Sequence, residues 1–264
     1  MDTEIYSQVK TSIKHVLNID LENYKEEQMK RRLDSWLVRS RLPSWQEYLK
    51  LISNDAEELA RFRNYLTINV TEFFRDPSRW AQVSAEILPV LIQDAAQHRP
   101  GSELKIWSAG CSTGAEAYTL AIMMEELSPP HKYSILATDL DRGAMLKARA
   151  RGPYSQDDIR NLSPRQRQLY ITPSAPYHVV EKLQKRIAFQ EQDLLRDRFA
   201  GDFDLIVCRN VVIYFTTASK DILYEKFNKA LRPGGVLFVG GTEIISGPSK
   251  FGFQSFGISF YRKV

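Results

Sequence analysis

A small-residue turn, Gly110-Cys111-Ser112-Thr113-Gly114, is the first place in this sequence where residue types and spacing suggest chemistry. An apolar segment precedes the turn and a helix-like segment follows it. Small residues let a ligand approach the backbone closely, and a helix N-terminus offers unpaired N–H groups. A tight strand-to-helix connection without a ligand has the same composition, however, and the dinucleotide spacing G-x-G-x-x-G is absent. The turn alone is therefore a weak indication of a nucleoside or phosphate site.

Two acids make the ligand chemistry more definite. Glu116 lies just after the turn, and Asp139 ends the next strand-like segment, 25 residues after Gly114. Nucleotide-binding folds place an acid near this position against the ribose hydroxyls, although a helix cap or turn residue would fit Asp139 as well. Because an acid repels phosphate and attracts an ammonium or a sulfonium, the pair favours S-adenosylmethionine, which has a ribose, positive centres and no phosphate.

The segments around these residues predict an α/β domain. Strand-like segments alternate with helix-like ones, which is the pattern of a doubly wound parallel sheet. The predicted strands are residues 104–110, 133–139, 204–210 and 236–240, with one or two more within 253–262. The predicted helices are residues 115–127, which Pro129 and Pro130 end, 142–150, which Asp141 caps, and 216–231. The last strands can form a reversed hairpin, which distinguishes a methyltransferase sheet from a dehydrogenase sheet.

The N-terminal residues, up to about residue 98, have the apolar spacing of helices. Ser44 is predicted to cap a helix that begins near Trp45, and Asp76 to cap one that has Pro77 in its first position. Pro89 is expected to kink or end that last helix. The predicted domains are a helical domain over 1–78, a linker helix over 79–100, and an α/β domain over 101–264 with a small β-subdomain inserted at about 152–186.

The composition excludes several classes of protein. The chain is 43% hydrophobic and 26% charged, which is ordinary for a globular protein. It has neither an apolar run of about 18 residues nor a signal peptide, so we expect a cytoplasmic protein without membrane insertion. Cys111 and Cys208 are far apart, with no further Cys or His cluster, which predicts reduced thiols and no metal site. A net charge of +4 is too small to indicate nucleic acid.

Several motifs together resemble the CheR family, the chemotaxis protein-glutamate methyltransferases. Any one of them could occur by chance, but their order and joint presence are highly specific, and they cover essentially the whole chain. The motifs are KEEQMKRRL (25–33), TINVTEFFRD (67–76), IWSAGCSTGAEAY (106–118), ATDLD (137–141), ARARGPY (148–154), DLIVCRNVVIYF (204–215) and LRPGGVLFV (231–239).

The resemblance implies a class I S-adenosylmethionine methyltransferase (Rossmann-like) domain, preceded by an all-α domain. It implies that Glu116 meets the methionine ammonium of the cofactor and that Asp139 meets its ribose. Residues 193–194 and 210–211 would hold the adenosine part. The full set of implied cofactor-binding residues is Asn69, Thr71, Arg75, Glu116, Asp139, Asp193, Leu194, Asn210 and Val211.

The implied reaction is an in-line displacement at the sulfonium methyl by a glutamate carboxylate, giving a methyl ester and S-adenosyl-L-homocysteine. A carboxylate is ionised near neutral pH, so no general base is needed. Arg75 is predicted to steer the carboxylate, since a guanidinium matches it in two-point geometry; a salt bridge to Glu72 or Asp76 is the alternative. Tyr214 is the second predicted catalytic residue, as a hydrogen-bond donor, with plain packing as its alternative.

The implied partner is the cytoplasmic helical bundle of a chemoreceptor. Methylation regions are acidic in this family, so a basic face of the N-terminal domain is a predicted docking site. A solvated helix face is the alternative, and a monomer is the expected state. The residues of the predicted docking site are Lys30, Arg31, Arg32, Arg39 and Arg41.

The sequence departs from the family pattern in three places. Ala115 and Ala117 replace an acid and a proline in the glycine-turn motif, while Glu116 keeps its position. Asp193 stands where an asparagine is often found. Residues 170–180 contain no glycine, whereas some relatives grip a receptor's C-terminal pentapeptide with a glycine-rich loop in this insertion. We therefore predict an enzyme of the pentapeptide-independent type.

Three other functions fit parts of the sequence. The first is a class I methyltransferase with another acceptor, such as a small molecule or RNA; the modest charge and the lack of a basic, aromatic-rich surface argue against RNA. The second is a signalling module that binds S-adenosylmethionine without turnover, which the intact Glu116, Asp139 and Arg75 argue against. An NAD oxidoreductase is disfavoured by the glycine spacing and the terminal hairpin. The sequence thus predicts a protein-glutamate O-methyltransferase of sensory adaptation.

Overall fold

The computed structural model describes residues 1–127 and 132–264. These residues divide into two compact units, one formed by Met1–Asn69 with Val211–Ile222 and the other by Val70–Asn210 with Leu223–Val264. The domain limits at residues 78 and 100 stay a prediction. The predicted helix end at Pro129 and Pro130 lies outside the described residues. Within those residues, no helix combines the length and the apolar character needed to cross a bilayer.

The first unit is built on four helices packed around aromatic rings. They are α1 (Thr3–Leu17), α2 (Glu26–Ser40), α3 (Trp45–Ile52) and α4 (Ala56–Leu66). Ser44 caps α3 as predicted, because its side chain accepts a hydrogen bond from the Glu47 N–H. Tyr48 and Phe62 are fully buried, and their rings pack edge to face with centroids 5.2 Å apart. Aromatic rings thus form part of the buried core of this unit.

Residues Val211–Ile222 belong to the first unit through backbone hydrogen bonds. The Lys25 N–H donates to the Tyr214 carbonyl at 2.9 Å, and the Thr216 N–H donates to the Asn23 carbonyl, also at 2.9 Å. The first unit is therefore made of two separate stretches of sequence.

The second unit is centred on a seven-stranded sheet. The strands are β1 (Leu104–Ala109), β2 (Tyr133–Asp139), β3 (Ile187–Glu191), β4 (Phe203–Cys208), β5 (Leu231–Val239), β6 (Phe253–Ser255) and β7 (Phe260–Lys263). Their order is β3-β2-β1-β4-β5-β7-β6, with β1 to β5 parallel and β7 antiparallel to both of its neighbours. A parallel sheet whose last two strands form an antiparallel hairpin is the predicted α/β fold, and the predicted fold class is thereby confirmed.

Further helices accompany this sheet. They are α5 (Pro77–Gln82), α6 (Leu88–His98), α7 (Ala115–Leu127), α8 (Arg142–Arg149), α9 (Pro164–Tyr170), α10 (Glu181–Gln184) and α11 (Thr217–Ala230), whose first residues lie in the first unit. Helices α7, α8 and α11 were predicted from the sequence, whereas α9 and α10 lie in the predicted β-subdomain and were not. Asp141 caps α8 as predicted, its side chain accepting a hydrogen bond from the Ala144 N–H.

The middle of the sheet forms where the sequence is continuously apolar. Every residue of β4 is buried, as expected for a strand covered on both faces. Asp204 is the charged residue of this otherwise apolar strand. Its burial is tolerated because its carboxylate pairs with Arg99 and Arg232, each at 2.5 Å. Burial on both faces fixes the positions of the strand ends, which carry the candidate site.

The helix through Pro89 continues past the proline. Residues Val83–Ile87 form a π-helical turn, in which the Leu88 N–H donates to the Val83 carbonyl, and α6 then runs to His98. Pro89 thereby lies in the first turn of α6, where its missing N–H is not needed.

The insertion predicted over about 152–186 shows β-type pairing without continuous strands. Two isolated antiparallel bridges join Tyr154 to Tyr177 and Ile171 to Val179. The two short helices α9 and α10 occupy much of the rest. The many turn-forming residues of this segment keep each pairing to one residue pair.

Candidate functional site

Three neighbouring parallel strands end at one edge of the sheet. The glycine turn follows β1, Asp139 ends β2, and Arg209 and Asn210 follow β4. β1 lies between β2 and β4, so the connections leave β1 toward opposite sides of the sheet. Open α/β sheets bind ligands at such a reversal, beyond the carboxyl ends of the strands. The fold therefore brings these parts of the predicted site together.

The turn after β1 has a backbone that requires small residues. Gly110 and Gly114 have φ angles of 85° and 90°, values that side chains rarely allow. A Cβ atom on Gly114 would lie 2.9 Å from the Cβ of Ala148. The Gly110 and Cys111 N–H groups both donate to the Thr138 carbonyl, at 2.8 and 2.9 Å. The turn is thus fixed tightly against the end of β2.

Asp139 uses one oxygen to stabilise this turn and the other to stabilise the connection between β2 and α8. Oδ2 accepts a hydrogen bond from the Ser112 N–H at 2.7 Å, and Oδ1 accepts one from the Asp141 N–H at 2.9 Å. Burial nevertheless raises the pKa of the Asp139 carboxyl to about 6, since these donations lower it by less than burial raises it. The side chain therefore has the turn contacts considered for it, and it also lies at the strand end where a ribose is expected.

Glu116 is a nearly buried carboxyl group in the first turn of α7. Its side chain is 11% exposed. Oε1 accepts a hydrogen bond from the Ser108 hydroxyl at 2.7 Å, and Oε2 lies 3.8 Å from Nη1 of Arg209. Burial raises the pKa of Glu116 to about 7, while the positive charge of Arg209 lowers it. The positive charge of Arg209 therefore offsets only part of the cost of burying the Glu116 carboxylate.

Arg209 is a residue that the sequence motifs contain but do not single out. Its side chain is 2% exposed, and its Nη2 lies 2.5 Å from Oδ2 of Asp76. The guanidinium also lies over the rings of Trp80 and Phe238, at 5.2 and 4.9 Å from their centroids. Its acidic partner is 133 residues away in the chain, so spacing carries no signal for the pair.

Asp76 corrects one sequence prediction. Pro77 does begin α5 and Asp76 does occupy its N-cap position, but the Asp76 side chain makes no capping hydrogen bond and its backbone is left-handed, with φ 61°. Its carboxylate pairs with Arg209 instead. A charge-assisted bond to a buried guanidinium is stronger than a cap on a short, exposed helix.

Arg75 has no ion pair with either of the acids considered for it. Its Nη1 donates to the Val70 carbonyl at 3.0 Å, whereas Glu72 pairs with Arg160 at 2.7 Å and Asp76 pairs with Arg209. Arg75 lines a cleft of about 280 Å³. The other residues that line it are Asp76, Ser78, Arg79, Asn210, Gly241 and Thr242.

Asn210 reaches this cleft through a turn that Glu243 fixes. Asn210 has a φ of 58°, and its N–H donates to Oε2 of Glu243 at 2.7 Å. The same oxygen accepts the Gly240 N–H, also at 2.7 Å, and Glu243 is 2% exposed. No sequence pattern singles out Glu243, because it lies 33 residues after Asn210 in a loop without a recognised motif.

Asp193 and Leu194 lie in the loop after β3. Oδ1 of Asp193 accepts hydrogen bonds from the Leu195 and Arg196 N–H groups at 2.8 and 3.3 Å. The Leu194 carbonyl accepts one from Nζ of Lys226 at 2.6 Å. The loop is thus held by its own acid and by a lysine of α11, which limits the freedom of any adenine contact there.

The predicted site residues fall in both units. Thr71, Arg75, Glu116, Asp139, Asp193, Leu194 and Asn210 lie in the second unit, and Asn69, Val211 and Tyr214 in the first. Within the first unit, Nδ2 of Asn69 donates to Oγ1 of Thr67 at 3.3 Å. The approach of these three residues to the cofactor stays a prediction.

The chemistry of the second unit's residues fits S-adenosylmethionine. Two carboxyl groups near one turn, Glu116 and Asp139, both have raised pKa values because burial is not matched by positive charge. A ligand with a ribose, an ammonium and a sulfonium supplies the missing hydrogen-bond donors and positive charge. Gly114 allows the turn to pack closely against Ala148 and Tyr118, which holds the turn between these two acids.

Comparison with known proteins agrees with this chemistry. The family described as "CheR methyltransferase, SAM binding domain" matches residues 69–259, and "CheR methyltransferase, all-alpha domain" matches residues 4–67. A chemotaxis protein methyltransferase of Listeria monocytogenes is 41% identical over 252 residues, covering 95% of this chain and 94% of the relative. That of Borreliella burgdorferi is 33% identical, covering 87% and 84%, and that of Escherichia coli is 32% identical, covering 86% and 80%.

Proposed function

The chain belongs to the CheR family of S-adenosylmethionine-dependent chemotaxis methyltransferases, and from that premise we propose that it methylates glutamate side chains of chemoreceptors. S-adenosylmethionine supplies the methyl group on a sulfonium centre, and the products are a glutamate methyl ester and S-adenosyl-L-homocysteine. We propose that the reaction takes place in the cytoplasm and that the enzyme is a monomer.

The observation that carries this proposal is that Arg75 lines the cleft without an ion pair to Glu72 or Asp76. Its guanidinium lines the cleft, and the acids next to it in sequence, Glu72 and Asp76, are paired with other arginines. A guanidinium with remaining donors binds a carboxylate in two-point geometry. Arg75 is therefore suited to hold an acceptor glutamate, which supports a carboxyl acceptor over a neutral one.

The roles that we propose for the other residues follow from their charge and position. Glu116 would hold the cofactor's ammonium, and Asp139 its ribose hydroxyls. The adenosine part would lie against Asp193, Leu194, Asn210 and Val211, and Asn69 and Thr71 would approach the cofactor. Tyr214 would donate a hydrogen bond near the acceptor. No residue has to remove a proton, because the acceptor is already a carboxylate at neutral pH. The site contributes alignment and exclusion of water.

The test is transfer of a labelled methyl group to a chemoreceptor cytoplasmic fragment, measured as base-labile methanol. We expect Arg75→Ala to lower kcat/KM for the receptor on the order of 100-fold, the typical effect of removing a group that aligns or stabilises charge. Arg75→Lys should be intermediate, since it keeps the charge and loses the two-point geometry. Arg61→Ala, at an exposed arginine of α4, is the matched control and should leave the rate unchanged.

Each outcome decides between the functions that the sequence left open. Base-labile label on receptor glutamates, lost in Arg75→Ala, supports the proposal. Tight binding of S-adenosylmethionine without transfer to any receptor of the same organism contradicts it, and would favour another acceptor or a sensing role.

We further infer that the enzyme needs no receptor tail. The segment 170–180 lacks glycine, and a backbone bridge between Ile171 and Val179 closes it on itself. Receptor fragments with and without their C-terminal residues should therefore be methylated with equal kcat/KM. A loss of more than tenfold on removal of the tail would show that a tether is used.

The docking face that we propose contains fewer residues than the basic cluster predicted from the sequence. Arg31, Arg39 and Arg41 are exposed. Lys30 and Arg32 are only partly exposed: Lys30 is paired with Glu26, and the guanidinium groups of Arg32 and Arg39 lie 4.1 and 5.3 Å from the centroid of the Tyr65 ring. The three exposed arginines are thus the ones available to an acidic helical bundle.

Charge reversal tests this face. We expect Arg31→Glu with Arg41→Glu to lower kcat/KM for the receptor at least tenfold and to leave S-adenosylmethionine affinity unchanged, because docking and cofactor binding use different groups. Lys50→Glu, a charge reversal at an exposed residue of α3, is the control. Equal effects per reversed charge would mean that only net charge matters.

A further inference from the structure

A buried arginine joins two carboxylates of the second unit that belong to different elements. Arg209 follows β4, Asp76 immediately precedes α5, and Glu116 lies in the first turn of α7. Nη2 of Arg209 contacts Asp76 at 2.5 Å, and Nη1 lies 3.8 Å from Glu116. Asp76 is also the residue next to Arg75 in the chain. One guanidinium thus links the proposed ammonium ligand to the segment that carries the proposed acceptor ligand.

The surroundings of Arg209 offer it few interactions other than those with these two carboxylates. The side chain is 2% exposed, and its guanidinium lies over the aromatic rings of Trp80 and Phe238. Within the described residues its Nε has no hydrogen-bond partner. A buried charge of this kind persists only where its partners stabilise it, and those partners are the two carboxylates.

We infer that Arg209 is a positioning residue for cofactor binding, which favours the ionised form of Glu116, orients its carboxylate and couples it to Asp76 beside Arg75. The inference rests on the proposed contact between Glu116 and the cofactor's ammonium. Arg209 itself does not touch the cofactor in this assignment. Its positive charge is directed mainly to Asp76, the closer partner, so it repels the ammonium little.

The charges around Glu116 explain why it needs such a partner. Its pKa of about 7 is the net result of burial and Glu243, which raise it, and of Arg209, the Ser108 hydroxyl and Arg75, which lower it. The buried thiols of Cys111 and Cys208 also lie within electrostatic reach of Glu116. Arg209 is the largest of the lowering influences. Without it the carboxyl would be mostly neutral at pH 7 and a poor ligand for an ammonium.

The predicted signature is a pH-dependent loss of affinity for S-adenosylmethionine. The dissociation constant of Arg209→Met is compared with that of the wild type at each pH, so that the ligand's own titration cancels. If the pKa of Glu116 rises by one unit from about 7, the ratio is about tenfold at pH 6, about fivefold at pH 7 and close to one at pH 9. A merely structural defect would give one ratio at every pH.

The measurement is calorimetric titration of the full-length protein with S-adenosylmethionine at pH 6, 7, 8 and 9. Arg209→Lys should give a ratio near one throughout, because it keeps the charge. Arg232→Met is the matched control: Arg232 is also a buried arginine between two carboxylates, Asp94 and Asp204, and Asp204 lies at the opposite end of β4. It should lower Tm without a pH-dependent change in affinity.

If Arg209→Met does not fold, a variant with the opposite expected change in affinity still tests the inference. In Asp76→Asn the guanidinium is released toward Glu116, so affinity at pH 6 should rise relative to the wild type and converge with it by pH 9. A pH-independent ratio in the folded variants overturns the inference.

The proposed receptor reaction is not involved in this test, so the two can fail separately. Glu116→Gln should bind S-adenosylmethionine weakly, and the ratio of its dissociation constant to that of the wild type should grow from pH 6 to pH 8, because only the wild type gains the Glu116 carboxylate in this range. Unchanged affinity and pH dependence in Glu116→Gln would remove Glu116 from the cofactor contact, and would overturn this inference whatever the acceptor of the reaction is.

Discussion

Glu116 is a residue that folding shifts toward its neutral form. Its pKa rises from an ordinary 4.5 to about 7, chiefly through burial. Between these values the native protein holds a proton that the unfolded chain has released, so the free energy of unfolding falls as pH rises through this window. From this pKa we expect Glu116 to contribute a loss of about 2 kcal/mol between pH 5 and pH 8, measured by urea unfolding without S-adenosylmethionine.

Two variants isolate this contribution of Glu116. In Glu116→Gln the fall in unfolding free energy should be smaller than in the wild type by about 2 kcal/mol; the part that remains includes Asp139, whose pKa is also raised. Glu103→Gln, at an exposed glutamate, should leave the fall unchanged. A wild-type stability that rises from pH 5 to pH 8 would contradict the expected direction.

At the scale of single residues, spacing identified the acids that follow a turn or end a strand. Glu116 and Asp139 were predictable because their places are fixed by local elements. Arg209, Asp76 and Glu243 were not, because each acts through a partner that is distant in the chain and becomes a neighbour only when the sheet forms. Asp76 was predicted as a helix cap or as a partner of Arg75, whereas its carboxylate pairs with Arg209, because only contacts between residues close in the chain are visible in the sequence.

At the scale of elements, the turn after β1 provides a matched pair of glycine substitutions. Gly114 and Gly101 both have positive φ angles, 90° and 82°, but only Gly114 has atoms close to an added Cβ, with Ala148 at 2.9 Å. Both alanine variants should lose about 1 kcal/mol from backbone strain. Gly114→Ala should lose a further ~2 kcal/mol from overpacking and bind S-adenosylmethionine more than tenfold more weakly.

Urea unfolding and calorimetric binding measure both effects of the glycine substitutions. Equal unfolding free energies for the two variants would mean that α8, which carries Ala148, moves aside without cost. Unchanged affinity in Gly114→Ala would separate the shape of this turn from the cofactor site.

Strand and helix positions were predicted well wherever an apolar run has clear limits. β2 and α7 have the predicted bounds, because Asp139 and the glycine turn mark their ends. Pro89 was less informative, since a π-helical turn before it allows the helix to continue. The insertion at 152–186 was predicted only in outline, because its pairings of single residues leave no periodic pattern in the sequence.

At the scale of the whole molecule, the net charge of +4 should affect association with an acidic partner. The screening length falls from about 10 Å at 0.1 M salt to about 3 Å at 1 M. We therefore expect kcat/KM for receptor methylation to fall severalfold from about 50 to about 500 mM salt. S-adenosylmethionine affinity should change less than twofold, because Glu116 is nearly buried. A receptor reaction independent of salt would exclude electrostatic docking.

The return of Val211–Ile222 to the first unit has a consequence for how the chain is made. The ribosome delivers residues from the N-terminus, and segments usually fold as they emerge. Asn23 and Lys25 must wait for Thr216 and Tyr214 to be synthesised before their hydrogen bonds can form. By then β1 to β4 have already been produced. Although most of the first unit is translated early, this unit is therefore among the last parts of the nascent protein to be completed. A chain that stops before Val211 would leave the first unit unfinished.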